Sequence, residues 1–269
     1  MDNRPIGVFD SGLGGLTAVK ELEKVLPQES LVYFGDTGRV PYGSRSRETV
    51  RRYAKQDMAF LMGHGVKAVL AACGTVSSTA RDIGESLGVP YFDVVRPTAQ
   101  AAAAATKNKK VGVIGTSATI HSGSYRAALL SIDYKLQVFS QPCPLFVPLV
   151  ENAFISPQDE VTRLVAERYL APLRESGVDT LILGCTHYPL IKSMIGEFMG
   201  RNVVLVDPAK TAAHHLERIL SERGLKADHP AGQAHFYVSD APDGFVQTAD
   251  LFLGEYKGGE VEQIAIDKY

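Results

Sequence analysis

The chain has 269 residues, 45% of them hydrophobic, and a formal net charge of −2, enough to bury a substantial core in one large domain or two modest ones, of which two are expected. Charges of both signs are interspersed with no basic stripe, which argues against direct nucleic-acid binding, and no apolar run is long enough for a signal sequence or membrane span, so the chain reads as a soluble cytoplasmic protein. Its three cysteines, Cys73, Cys143 and Cys185, form no CxxC pair, which argues against a disulfide framework and a structural zinc site.

Taken in chain order, short apolar runs at 6–9, 30–34, 68–72, 111–114, 180–183 and 203–206 predict strands. Between and after them, 17–25, 47–62, 99–105, 158–175 and 211–223 predict helices, and 234–238 one more strand. Apolar positions recur at spacings of three and four in the helical stretches, and strand–helix alternation predicts an α/β fold with a mainly parallel sheet. Proline at Arg96-Pro97-Thr98 and at Asp207-Pro208-Ala209 marks the points where a strand has ended and a helix begins. Dividing there yields a discontinuous first domain, 1–97 plus 209–269, and a second domain, 98–208. The tail is too small to form a core alone and is expected to pack back on the first half.

An internal repeat bears on the cysteines. Gly65-Val66-Lys67-Ala68-Val69-Leu70-Ala71-Ala72-Cys73 matches Gly177-Val178-Asp179-Thr180-Leu181-Ile182-Leu183-Gly184-Cys185 position for position. Upstream, Ile6 to Ser11 resembles Val111 to Thr116, and downstream Tyr91-Phe92-Asp93 has a counterpart in Leu205-Val206-Asp207. Any two parallel strands share apolar composition; the matched cysteine is what composition does not predict.

Ligands of parallel α/β sheets bind at the carboxyl ends of the strands, where helix N-termini favour anions. Asp10, Cys73, Thr116 and Cys185 all fall there, and a following helix favours the thiolate, the form that acts as base or nucleophile. His187, two residues beyond Cys185, is a candidate to tune it. Cys143, between Pro142 and Pro144 and without a counterpart, reads as a buried apolar residue. Asp10-Ser11-Gly12-Leu13-Gly14-Gly15 lacks the G-x-G-x-x-G spacing and a Walker lysine, and Asp10 would repel pyrophosphate, so it reads as a close-approach loop for a small carboxylate ligand. The loop from Gly35-Asp36 to Pro41-Tyr42-Gly43 follows the second strand and reaches the same crevice.

Together with Cys73-Gly74-Thr75, Val147-Pro148-Leu149-Val150-Glu151-Asn152 and Gly184-Cys185-Thr186-His187-Tyr188-Pro189, these motifs resemble those of the glutamate racemases, in family order and over most of the chain. The resemblance implies two pseudosymmetric parallel-sheet domains with the active site in the cleft between them. It also implies interconversion of L- and D-glutamate without pyridoxal phosphate, metal or other cofactor, supply of D-glutamate for peptidoglycan, and a homodimer. Carried over by residue, Cys73 would abstract the α-proton of D-glutamate while Cys185 protonates the opposite face, the roles exchanging for L-glutamate. Asp10 and His187 would assist the two thiols, with Asp36 and Glu151 as further polar elements. Asp10, Ser11, Tyr42, Gly43, Gly74, Thr75, Thr116, Thr186 and His187 would line the substrate.

One departure stands out: Gly74 occupies a position where the family commonly has asparagine. The missing amide keeps aspartate, or another acidic amino acid, open as substrate. A regulatory protein contact, such as the gyrase inhibition attributed to some family members, is an alternative of a different class. A thiol redox enzyme ranks below both, since the cysteines lie in separate halves with no CxxC.

Overall fold

The computed structural model describes residues 1–228, 230–254 and 260–269. His229 and residues 255–259, within the 209–269 segment assigned to the first domain, lie outside the described residues. The chain begins β1 (Ile6–Asp10), α1 (Leu16–Val25), β2 (Leu31–Gly35), α2 (Arg47–Gly63), β3 (Ala68–Ala71), α3 (Gly74–Thr79), α4 (Arg81–Glu85) and β4 (Tyr91–Asp93). It crosses through α5 (Val95–Ala105) into β5 (Lys110–Gly115), α6 (Ser117–Ser122), α7 (Ser124–Ile132), β6 (Gln137–Pro142) and α8 (Phe146–Glu151). There follow α9 (Glu160–Glu175), β7 (Thr180–Leu183), α10 (Lys192–Met199) and β8 (Val204–Val206). The last part runs α11 (Pro208–Glu222), β9 (Ala234–Val238), α12 (Asp243–Leu253) and β10 (Val261–Gln263).

Two parallel sheets result, each within its own α/β domain. One has six strands in the order β10-β9-β2-β1-β3-β4, the other four in the order β6-β5-β7-β8. Strands β1, β2, β3 and β7 are buried at every position, the two-sided burial that a parallel sheet between helices demands and that near-continuous apolar runs supply.

The order β6-β5-β7-β8 repeats β2-β1-β3-β4, and the likeness extends to single residues. Ile6 stands opposite Leu31 and Ala68 just as Val111 stands opposite Val138 and Thr180. Gly65 and Gly177, leading into β3 and β7, take positive φ of 64° and 71°, which glycine adopts without the penalty a Cβ would bring. Asp93 and Asp207, at or just after the ends of β4 and β8, each cap the helix that follows. Asp93 Oδ1 accepts from the Val95 and Arg96 N–H at 2.8 and 3.0 Å; Asp207 Oδ1 accepts from Ala209 and Lys210 at 2.9 and 3.4 Å. These caps explain why α5 and α11 start earlier than the 99–105 and 211–223 periodicities indicate. Pro97 and Pro208 then lie in the first turn, where an absent N–H loses no helix bond. Strands β6 and β10, absent from the predicted set, are partly exposed edge strands.

Candidate active site

Because both sheets are parallel, the loops after β1, β2, β3, β5, β6 and β7 collect on one side of each and converge on a single cleft of about 410 Å³. Its wall includes Ser11, Tyr42, Gly43, Cys73, Gly74, Thr75, Thr116, Glu151, Cys185, Thr186 and His187. Gly12, Val40, Pro41, Ser44, Ser117, Pro144, Val147, Pro148 and Gly184 complete it. Asp10 and Asp36 are not on the wall: both are fully buried behind it.

Cys73 follows β3 as the residue before α3, 5% exposed. The Val76 N–H and the Ser11 hydroxyl, 3.7 Å from Sγ, favour its thiolate, but burial and the neighbouring Asp10 charge outweigh them and push the thiol up to about 12. Asp10 Oδ2 accepts from the Gly15 N–H at 3.0 Å. Burial raises the Asp10 carboxyl from its ordinary range, while the His187 charge and the Gly15 N–H pull the other way.

Cys185 holds the matching place after β7. Its Sγ is 3.7 Å from His187 Nδ1, and His187 Nε2 is 3.1 Å from Glu151 Oε1 at the end of α8. Burial opposes the imidazolium, but contact with Cys185 and Glu151 outweighs it and raises His187 to about 10. His187 is therefore a cation at neutral pH, and the ring of Phe252 from α12 packs against it edge-on at 5.3 Å. Cys143, by contrast, lies buried in the core with its thiol turned to the Gln141 carbonyl.

Tyr42 lines the cleft with its hydroxyl turned away, lodged between Asp36 and Asp57, 3.0 Å from Asp57 Oδ2. Arg39 donates to Asp36 at 2.6 Å and Asp57 at 3.1 Å, and the Ser239 hydroxyl donates to Asp36 at 2.7 Å. Burial first, then the Asp36 charge, drives the Asp57 carboxyl well above its usual range. This network holds the loop that presents Tyr42 and Gly43, and Asp36 acts there. Arg39 belongs to the same loop as Asp36, whereas Asp57 and Ser239 come from other parts of the chain, and no motif in the sequence marks these two as partners.

Three glycines sit where the halves touch across the cleft. A Cβ at Gly14 would come within 2.3 Å of Thr186 Oγ1, at Gly43 within 2.6 Å of Thr116 Cβ, and at Gly74 within 2.5 Å of the Gly184 carbonyl oxygen. Beside them the Thr75 and Thr116 hydroxyls bond at 3.0 Å. The wall thus offers hydroxyls, backbone amides, two thiols on matching strand ends and one imidazolium, a set suited to proton transfer on a small polar ligand. Among the described residues no cluster of three or more His, Cys, Asp or Glu is arranged to hold a metal.

Residues 16–216 match the family model for Asp/Glu/hydantoin racemases. The chain is 46% identical to the glutamate racemase of Geobacter metallireducens over 98% of its length and 97% of that protein. It is 45% identical to that of Thermoanaerobacter pseudethanolicus over the whole of both. Among solved structures, glutamate racemase from Francisella tularensis in complex with D-glutamate superposes with a TM-score of 0.93 at 39% identity, covering all of both chains.

Proposed function

The chain belongs to the Asp/Glu/hydantoin racemase family, and we propose that it is a glutamate racemase in which Cys73 and Cys185 exchange the α-proton from opposite faces. The observation that carries this reading is the matched placement of two buried thiols at the ends of equivalent strands, β3 and β7, on one cleft. Glutamate as substrate rests on the relatives, glutamate racemases at 45–46% identity over nearly the full chain.

In the D-to-L direction the Cys73 thiolate takes the α-proton, the electron pair remains on the α-carbon and its carboxylate, and the Cys185 thiol delivers a proton to the other face. The pair ends with its protonation reversed, and the opposite reaction restores it. A thiol pushed up to about 12 is little ionised at neutral pH but is a strong base once ionised, as a weak carbon acid requires. Asp10 is positioned to receive the Cys73 proton, and charged His187 stands beside Cys185. Ser11, Thr75, Thr116, Thr186 and the Gly43 and Gly74 backbones supply donors to the substrate carboxylates in a cleft sheltered from water.

The proposal extends to a cytoplasmic homodimer supplying D-glutamate for peptidoglycan, with domains 1–97 plus 209–269 and 98–208. Light scattering reads the dimer, and rescue of a D-glutamate auxotroph reads the supply. The decisive experiment follows solvent deuterium into the α-carbon of L-glutamate and, separately, L-aspartate by proton NMR, for wild type, Cys73→Ser and Cys185→Ser. Exchange and racemisation of glutamate by the wild type, with racemisation abolished by either substitution and exchange of L-glutamate abolished by Cys185→Ser, is the expected result. Exchange of aspartate alone moves the substrate, and exchange that survives both substitutions overturns the two-thiol reading.

A further inference from the structure

The cleft binds its ligand without any lysine or arginine on the wall; His187 is its one cationic side chain, and Glu151 and the buried Asp10 are nearby acids. Glutamate carries two carboxylates and one ammonium, and the chain itself is net negative, so long-range attraction has to come from beyond the wall. A second groove of about 530 Å³ opens beside the cleft and shares Gly43, Ser44 and Ser117 with it. Arg45, Arg47 and His121 line this groove. Both arginines are exposed, and neither has an ion-pair partner among the described residues. Of the acids near Arg47, Asp82 is engaged by Arg51 at 2.5 Å and Glu48 is turned to the helix start, hydrogen-bonded to Ser46. Arg47 is also the first residue of α2, where a cation opposes the helix dipole; helix stability does not account for it.

We infer that this groove is an anion-attracting vestibule through which the dicarboxylate substrate approaches the cleft, with Arg45 and Arg47 supplying the field. Two guanidinium groups at the mouth, without ion-pair partners among the described residues, raise the local concentration of a net-anionic dicarboxylate without fixing it in place, and neutral donors inside then hold it for proton transfer. Such attraction is screened by salt, and it acts on association more than on the chemical step.

The inference rests on glutamate being the substrate, so its test has a turnover arm and a binding arm. In the first, kcat and kcat/KM for L-glutamate are measured from about 10 to 500 mM NaCl for wild type and for the Arg45→Gln, Arg47→Gln double variant. At low salt the variant is expected to lose about tenfold in kcat/KM, to lose most of the salt dependence, and to keep wild-type kcat. In the second, calorimetric titration with glutarate, which carries both carboxylates but no α-amino group and so has no stereocentre to racemise, should show the same loss of affinity and of salt dependence. Wild-type salt dependence in the variant overturns the vestibule, as does a parallel fall in kcat with unaltered glutarate binding. Absence of glutamate turnover in wild type, with glutarate binding still dependent on both arginines, sinks the racemase reading and leaves the vestibule standing. Thermal unfolding of the variant, expected at or above wild type because an unfavourable helix-start charge is gone, separates these outcomes from misfolding.

Discussion

Gly74 shows how a single missing side chain can be a packing requirement. Where the family commonly carries asparagine, this chain brings α3 so close to the end of β7 that a Cβ would lie 2.5 Å from the Gly184 carbonyl oxygen, a separation that real Cβ atoms do not show. Adding any side chain must therefore part the two cysteine-bearing strand ends. Displacement of a reacting group by about 1 Å can cost about a hundredfold in rate, so Gly74→Ala and Gly74→Asn should both lose between about tenfold and a hundredfold in kcat/KM for glutamate. A Gly74→Asn enzyme as fast as wild type would refute the steric account and return the amide to the argument. His187 carries the second residue-scale prediction. It is charged below about 10 and neutral above, so kcat/KM should fall as pH rises through about 10, and Glu151→Gln, which removes one source of the raised value, should move that limb to lower pH. The raised value also has a stability consequence. Because His187 binds its proton more tightly folded than unfolded, its contribution is fully present below about 6.5 and is lost as pH rises through about 10. A limb that stays in place in the Glu151→Gln variant would remove His187 from the pH profile.

At the scale of the element, the starts of α5 and α11 are the same device used twice. Each follows a strand whose terminal aspartate accepts two backbone N–H groups, and at α11 Pro208 occupies the first helical position. Asp207→Ala should cost about 1 kcal/mol in urea unfolding, and Asp207→Asn, which keeps the accepting oxygen, should restore most of it. Loss in both variants alike would show that the charge and not the cap matters. This symmetry also explains what could be read in advance. Central parallel strands are apolar on both faces, so β1, β3, β5 and β7 announce themselves, and the repeat places both cysteines before any coordinates are known. The edge strands β6 and β10 carry no such signal, although the edge strand β8 still shows its apolar run at 203–206. In β6 the sequence Gln-Val-Phe-Ser-Gln-Pro leaves every side chain at least partly exposed, and β10 is three residues at the sheet margin. The same holds within the site. Its wall residues sit in local motifs, whereas the Tyr42 hydroxyl faces Asp57 and Asp36, and Asp36 is joined to Ser239 from 203 residues away. Side-chain direction and long-range pairing are set by packing, and no local pattern encodes them.

On the scale of the whole molecule, the six-stranded sheet is assembled from two stretches of chain separated by the entire second sheet, and they must be tied together away from the cleft. Lys67 and Glu29 do this from full burial. Lys67 Nζ lies 2.5 Å from Glu29 Oε2 and donates to the carbonyls of Asp2 at 2.6 Å and Leu225 at 2.8 Å. Glu29 Oε1 in turn accepts the Ala227 N–H at 2.9 Å. One ion pair thus joins the N-terminus, the approaches to β2 and β3, and the segment between α11 and β9. A buried pair of this kind adds little over an apolar replacement, but breaking it leaves a charge without its counterion in a dry site. Lys67→Met should therefore lower stability by about 3–5 kcal/mol in urea unfolding, while Lys67→Met combined with Glu29→Gln should recover a large part of that loss. If the double variant is no more stable than the single, the lysine acts through its two carbonyl contacts and the ion pair is incidental. If both variants unfold like wild type, the tie lies elsewhere, and the pairing of β9 with β2 alone holds the discontinuous sheet together.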